Sequence, residues 1–238
     1  MKRTTFALAL AAAATLAVAS AGFATMRNAD GSERAWVLPA AAIDSPAPKP
    51  GGLQTAVLSG GCFWGIQAVF QHVKGVRSVV SGYAGGAAAT AQYELVGTGT
   101  TGHAESVQIT FDPKQISFGK ILRIFFSVAT DPTQVNEQFP DSGPQYRGEV
   151  FYTDADQKRV AEAYIHQLDQ AKAFSRPIAT RVDPLHGFFK AEDYHQDYLL
   201  RHPDNPYIAT YDQPKVVALQ RLFPTDYRAA PARVFKAG

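Results

Sequence analysis

Thr55-Ala56-Val57-Leu58-Ser59-Gly60-Gly61-Cys62-Phe63-Trp64-Gly65 is the stretch on which the reading of this chain turns. Four residues of strand character run into two glycines, and at Ile66, Val69 and Phe70 the apolar spacing becomes helical. That change of period predicts a strand, a tight turn and a helix, with Cys62 at or near the helix N-terminus. A thiol there meets unpaired amides and the positive end of the helix dipole. Its pKa is expected below the reference of roughly 8.5, favouring a thiolate. Cys62 is the only cysteine in the protein. Two rings directly after the sulfur, with glycines flanking the motif, place a nucleophile on an exposed turn beside an apolar pocket. Without those flanks a lone cysteine reads as a small buried hydrophobe.

Outward from this stretch, Gly75 stops the helix and Val76-Arg77-Ser78-Val79-Val80 offers a strand. Gly82-Tyr83-Ala84-Gly85-Gly86 opens a loop that runs through Tyr93 to Gly102. In Ser106 to Phe111, Val107, Ile109 and Phe111 alternate with polar residues as a strand that is buried on one face. Ser117 caps a helix carrying Phe118, Ile121, Leu122, Phe125 and Ala129 on one side. Thr130 to Arg147 is irregular, and a loop that long inside a domain points to function. Glu149 to Tyr152 resumes as a strand, and Thr153 or Asp154 caps a helix to about Phe174. A further strand is read between Pro177 and Val182, short helices near Tyr194 to Leu199 and Val216 to Leu222, and no internal repeat. Strands and helices mix without strict alternation, which favours an α+β sheet with helices packed on it.

The chain has 238 residues, enough for one substantial domain or at most two. Met1 to about Ala24 reads as a secretory signal: Lys2 and Arg3, an apolar run from Phe6 to Ala19, then small residues. The protein is therefore expected to be exported, periplasmic or extracellular. Residues 25–52, rich in Ala, Pro and Gly, read as a flexible linker, 53–225 as the catalytic domain and 226–238 as a C-terminal tail. Loss of the signal removes two of 23 basic residues and leaves 21 against 21 acids. Near-neutrality gives no electrostatic reason to expect nucleic acid or a membrane surface as partner. One cysteine excludes an internal disulfide, and six scattered histidines give no metal-ligand spacing, so no metal is expected.

Several polar residues fall in the loops. Glu105 sits where the Val107 strand begins, and a carboxyl in a partly apolar site has a raised pKa and can donate a proton to an oxygen leaving group. Tyr83, Tyr93, Tyr146 and Asp141 can supply hydroxyl and carboxylate partners.

Taken together, Gly61 to Gly65, Gly82 to Gly86, Tyr93 to Val96, Gly102 to Glu105, Asp141 to Arg147 and Ala191 to Gln196 resemble the A-type peptide methionine sulfoxide reductases, over roughly Thr55 to Pro224. The resemblance implies a two-layer α/β sandwich, a mixed sheet with packed helices and a ferredoxin-like core. It also implies reduction of the S epimer of methionine sulfoxide, free or in proteins. Cys62 matches the family's nucleophile, Glu105 its acid, and Tyr93 and Tyr146 the pair that binds the sulfoxide oxygen. Phe63 and Trp64 match the walls around the substrate methyl, and Asp141 the residue that holds the substrate backbone. Glu192 and His195 match a motif near the site and are read, with Tyr83, as a supporting network; His103 is expected to bond backbone.

The chain departs from the family in lacking resolving cysteines near the C-terminus. A Cys62 sulfenic acid must then be recycled by an external thiol: thioredoxin-like, glutaredoxin-like or small, with no bound cofactor. Glu137, Phe139, Gly148 and Thr130 also differ from the residues usual there. The competing readings are a cysteine hydrolase or acyltransferase with His103 or His195 as base, and an exported binding domain without catalysis.

Overall fold

The computed structural model describes residues 35–45 and 52–235. The expected leader lies outside them. A six-stranded sheet in the order β7-β6-β1-β3-β2-β8 carries the chain. Its strands are β1 (Gln54–Ser59), β2 (Val76–Ala84), β3 (Ala104–Phe111), β6 (Glu149–Tyr152), β7 (Arg181–Pro184) and β8 (Phe188–Lys190). Only the β6–β7 pair is parallel. A separate two-stranded ribbon pairs β4 (Glu137–Gln138) with β5 (Asp141–Ser142) inside the long irregular segment. The helices are α1 (Phe63–Gln71), α2 (Tyr93–Val96), α3 (Phe118–Ile124), α4 (Ala155–Gln170), α5 (Tyr198–Arg201) and α6 (Gln213–Leu222). The central strands β6-β1-β3-β2, joined through α1, a hairpin and α3, form the expected ferredoxin-like core within an α+β fold.

Alternation decides which residues face the helices. Val107, Ile109 and Phe111 of β3 are fully buried in the main core with Leu58 of β1 and Val79 of β2. Val57, Ala84, Ala104 and Phe151 form a smaller cluster. Two residues before Val107, Glu105 falls on the same side by the same period, so its carboxyl enters the helix layer.

Local signals set the helix ends. Ser117 accepts the Lys120 N–H at 3.2 Å and Asp154 the Gln157 N–H at 2.9 Å. The helix begun at Phe118 passes into a π-helical turn at Phe125–Ala129.

Three expectations need correction. β2 runs on to Ala84 through residues read as loop, with Tyr83 paired to Glu105 on one side and Phe189 on the other. β8 itself was not anticipated. Residues 35–45, assigned to a flexible linker on composition, instead pack on the domain. Leu38 is completely buried, its N–H reaches Ser127 Oγ and its carbonyl accepts Arg123 Nε at 2.6 Å. Asp44 accepts the Ser117 hydroxyl and the Gly119 N–H, adding a second cap to α3.

Candidate active site

The turn between β1 and α1 presents the sulfur. Gly61 has φ 100°, a left-handed conformation, and a Cβ there would fall 2.5 Å from Gln138 Cγ. Cys62 is the N-cap of α1, as expected, but it is buried, with the residue 7% exposed. Ser59 Oγ bridges the carbonyls of Glu105 and Arg147 at 2.7 and 3.0 Å and fixes β1 against β3 beneath this turn.

Glu105 faces the same helix end. Its Oε2 accepts the Phe63 N–H at 3.1 Å, and burial pushes its pKa up to about 8. At neutral pH this carboxyl is mostly protonated. Tyr93 and Tyr146, both half-buried, lie within electrostatic reach of Glu105 and Cys62. Burial raises both phenols, Tyr93 to about 12, so both remain neutral donors.

The thiol expectation is overturned. Burial pushes the Cys62 pKa up, and the charge of Asp212, with that of Glu105 wherever it ionises, pushes it further; the Trp64 N–H offsets only part of this. The helix end that was to stabilise a thiolate is already occupied by carboxyl groups.

The wall residues divide. Trp64 is half-buried, stacked on Tyr198 with ring centroids 3.8 Å apart and edge-on to Tyr207. Phe63 is fully buried against the rings of Tyr83 and His195. Asp141 is half-buried and accepts the Tyr207 hydroxyl, and burial raises its pKa. Phe139 is 48% exposed and meets Tyr211 edge-on, so it belongs to an aromatic rim and not to the core.

Behind the site runs a hydrogen-bond network. Glu192 accepts the Tyr83 hydroxyl at 2.8 Å and the Tyr93 N–H at 3.0 Å. The Trp64 indole donates to His195 Nδ1 at 3.1 Å, and burial lowers the His195 pKa to about 4, leaving a neutral ring. Gln196 pairs with both the N–H and the carbonyl of Ser81, and Gln67 joins it to α1. His103 bonds backbone at Gly86 and Ala87. Neither histidine is thus disposed as the base of a cysteine hydrolase.

Sequence reasoning missed Tyr198, Tyr207, Asp212 and Lys215. They come from α5, the π-helical turn Ile208–Asp212 with the residue before it, and α6. In the sequence they are ordinary polar and aromatic residues of a proline-punctuated tail, and no local spacing marks them. Among the described residues no cluster of three or more His, Cys, Asp or Glu could hold a metal, and no helix is long and apolar enough to cross a membrane.

A family model described as peptide methionine sulfoxide reductase matches residues 54–226. A protein of Mesorhizobium japonicum named peptide methionine sulfoxide reductase MsrA 2 is 53% identical over 186 residues, covering 78% of this chain and 95% of that protein. One of the same name from Synechocystis sp. is 49% identical over 178 residues, covering 75% and 83%. Among solved structures, reduced Mxr1 from Saccharomyces cerevisiae matches with a TM-score of 0.58 at 31% identity, over 66% of this chain and 90% of that one. Methionine sulfoxide reductase A of Corynebacterium diphtheriae matches at 0.56 and 32%, over 66% and 78%.

Proposed function

The chain belongs to the peptide methionine sulfoxide reductase family, and from that premise we propose which of its residues carry the reaction and where it operates. It is an oxidoreductase that returns methionine sulfoxide to methionine, a repair of oxidised protein. In our reading the substrate is the S epimer. Cys62 attacks the sulfoxide sulfur while Glu105 delivers a proton to its oxygen, which is a poor leaving group until protonated. Tyr93 and Tyr146 donate to that oxygen, Trp64 meets the methyl group, and Asp141 holds the backbone beside it.

The balance is simple. The sulfoxide oxygen passes to Cys62, so the substrate sulfur gains two electrons, Cys62 loses two, and Cys62 is left as sulfenic acid. An external thiol then forms a mixed disulfide and releases water, and a second thiol displaces Cys62 as free thiol. With no other cysteine in the chain, that reductant must come from outside: a thioredoxin-like or glutaredoxin-like protein, or a small thiol.

The observation that carries the reading is the Glu105 carboxyl, buried and bonded at 3.1 Å to the first amide after Cys62, with a pKa of about 8. The test is reduction of dabsylated methionine S-sulfoxide and R-sulfoxide with dithiothreitol by the parent, Cys62→Ser and Glu105→Gln. The S epimer alone should be reduced, by the parent and about 100-fold or more slowly by Glu105→Gln, and not at all by Cys62→Ser. Equal turnover of both epimers, or activity surviving in Cys62→Ser, would defeat it.

The N-terminal composition supports export to the periplasm or the extracellular space, with residues 1–24 removed. A mature N-terminus still at Met1 in protein from its native cells would refute this.

A further inference from the structure

Asp212 closes the π-helical turn Ile208–Asp212 and is completely buried. One carboxylate oxygen, Oδ1, meets the Lys215 ammonium at 3.1 Å. The other, Oδ2, is buried and has no hydrogen-bond donor among the described residues. The carboxylate lies directly on the first turn of α1, where a Cβ at Gly65 would fall 2.2 Å from Oδ1. Gly65 is the third residue after the Cys62 cap, so only a residue without a side chain lets the carboxylate approach this closely.

A helix N-terminus attracts anions through its free amides and its dipole. In α1 that attraction is shared: Glu105 takes the Phe63 N–H, and Asp212 sits over Gly65. Whatever negative charge Cys62 develops must compete with both. Both disfavour a thiolate, and Asp212, paired with the Lys215 ammonium, is the one set to carry the charge while Glu105 stays mostly protonated.

We propose that Asp212, held by Lys215 against the first turn of α1, is a positioning residue that keeps Cys62 a neutral thiol in the empty site and so restrains its reaction with electrophiles other than a bound sulfoxide. The proposal rests on Cys62 being the nucleophile. A thiolate reacts with hydrogen peroxide to give sulfenic acid and water, and further oxidation is irreversible, whereas the neutral thiol is a poor nucleophile. A chain with no second cysteine cannot shelter its sulfenic acid as an internal disulfide. Suppressing the thiolate until substrate arrives protects the one sulfur it has.

The other groups facing the sulfur do not substitute for Asp212. Glu105 from β3 is mostly protonated at neutral pH. Asp141, the first residue of β5, is bonded to the Tyr207 hydroxyl. Tyr93, Tyr146 and Tyr207 are neutral phenols, and Lys215 on α6 is spent on Asp212 itself.

The experiment measures alkylation of Cys62 by iodoacetamide, and its oxidation by hydrogen peroxide, across pH 6 to 10 without substrate. The parent is compared with Asp212→Asn, Asp212→Ser and the charge-retaining Asp212→Glu. Both neutral variants should alkylate with a midpoint at lower pH and react about tenfold faster at pH 7.5, which corresponds to roughly one unit of thiol pKa. Asp212→Glu should stay near the parent. Parent-like profiles in a folded neutral variant would overturn the proposal. So would a parent midpoint at or below that of an ordinary thiol, a result that needs no variant to fold. Sulfoxide reduction by the same samples reports separately on Cys62 as nucleophile: a parent that alkylates as expected but reduces no sulfoxide would sink the reductase mechanism and leave the electrostatic measurement standing.

Discussion

A buried sulfur at the cap of α1 has the field of the helix on one side and, on the other, the carboxyl of Glu105 and the charge of Asp212. The sequence marks the first influence through the two glycines and the change of period at Cys62. The other two arise from residues 43 and 150 positions away, which no local pattern reports. Glu105 is the complementary case, because strand alternation from Val107 already places its carboxyl on the buried side. Its raised pKa leads to a prediction with a definite sign. Below its unfolded value, near 4.5, the carboxyl is protonated in both states and costs nothing. As pH rises from there through about 8, the unfolded chain ionises and the folded one resists, so the fold loses stability across that window. Glu105→Gln cannot ionise. Its melting temperature should match or exceed the parent's above pH 8, with an advantage that shrinks toward pH 5. The parent's rate of sulfoxide reduction should show a falling limb centred near pH 8 that is absent from Glu105→Gln. An unchanged limb in the variant would assign the proton to another group.

At the scale of elements, the segments that sequence patterning names correctly are those with a clear period: α1, β3, α3, β6 and α4. Those it misses are stabilised by distant partners. The end of β2 has glycine-rich, turn-like composition, yet it is held between β3 and β8. The strap of residues 35–45 has the composition of a linker, but its backbone and side chains bond α3, the turn after it and α4: Tyr164 donates to the Pro39 carbonyl, and Gln167 brackets Ala40 and Ala42. Trp36 packs against Phe174 with centroids 5.0 Å apart. Burial of an entire leucine side chain has a measurable consequence. Leu38→Ala should lower the unfolding free energy by about 2–4 kcal/mol in urea titrations, with the site chemistry unaltered. A loss below roughly 0.5 kcal/mol would mean that the strap does not bind the domain in solution.

For the molecule as a whole, the arrangement brings together residues from five separate parts of the chain: the β1–α1 turn, α2, the start of β3, the ribbon and turn around Asp141 and Tyr146, and the tail from Tyr198 to Lys215. The first four were legible in the sequence through their motifs. The fifth was not, because a tail that covers a site through single aromatic and charged side chains leaves no periodic trace. The chain has no second cysteine, in this tail or elsewhere. Every turnover must therefore leave its oxidising equivalent on one sulfur until a thiol arrives from solution. The most direct test is intact mass spectrometry after one equivalent of methionine S-sulfoxide is mixed with reduced enzyme in the absence of any thiol. The account predicts one methionine released per chain and a protein heavier by a single oxygen, located on Cys62. A protein of unchanged mass with Cys62 still free, while methionine has been formed, would contradict it.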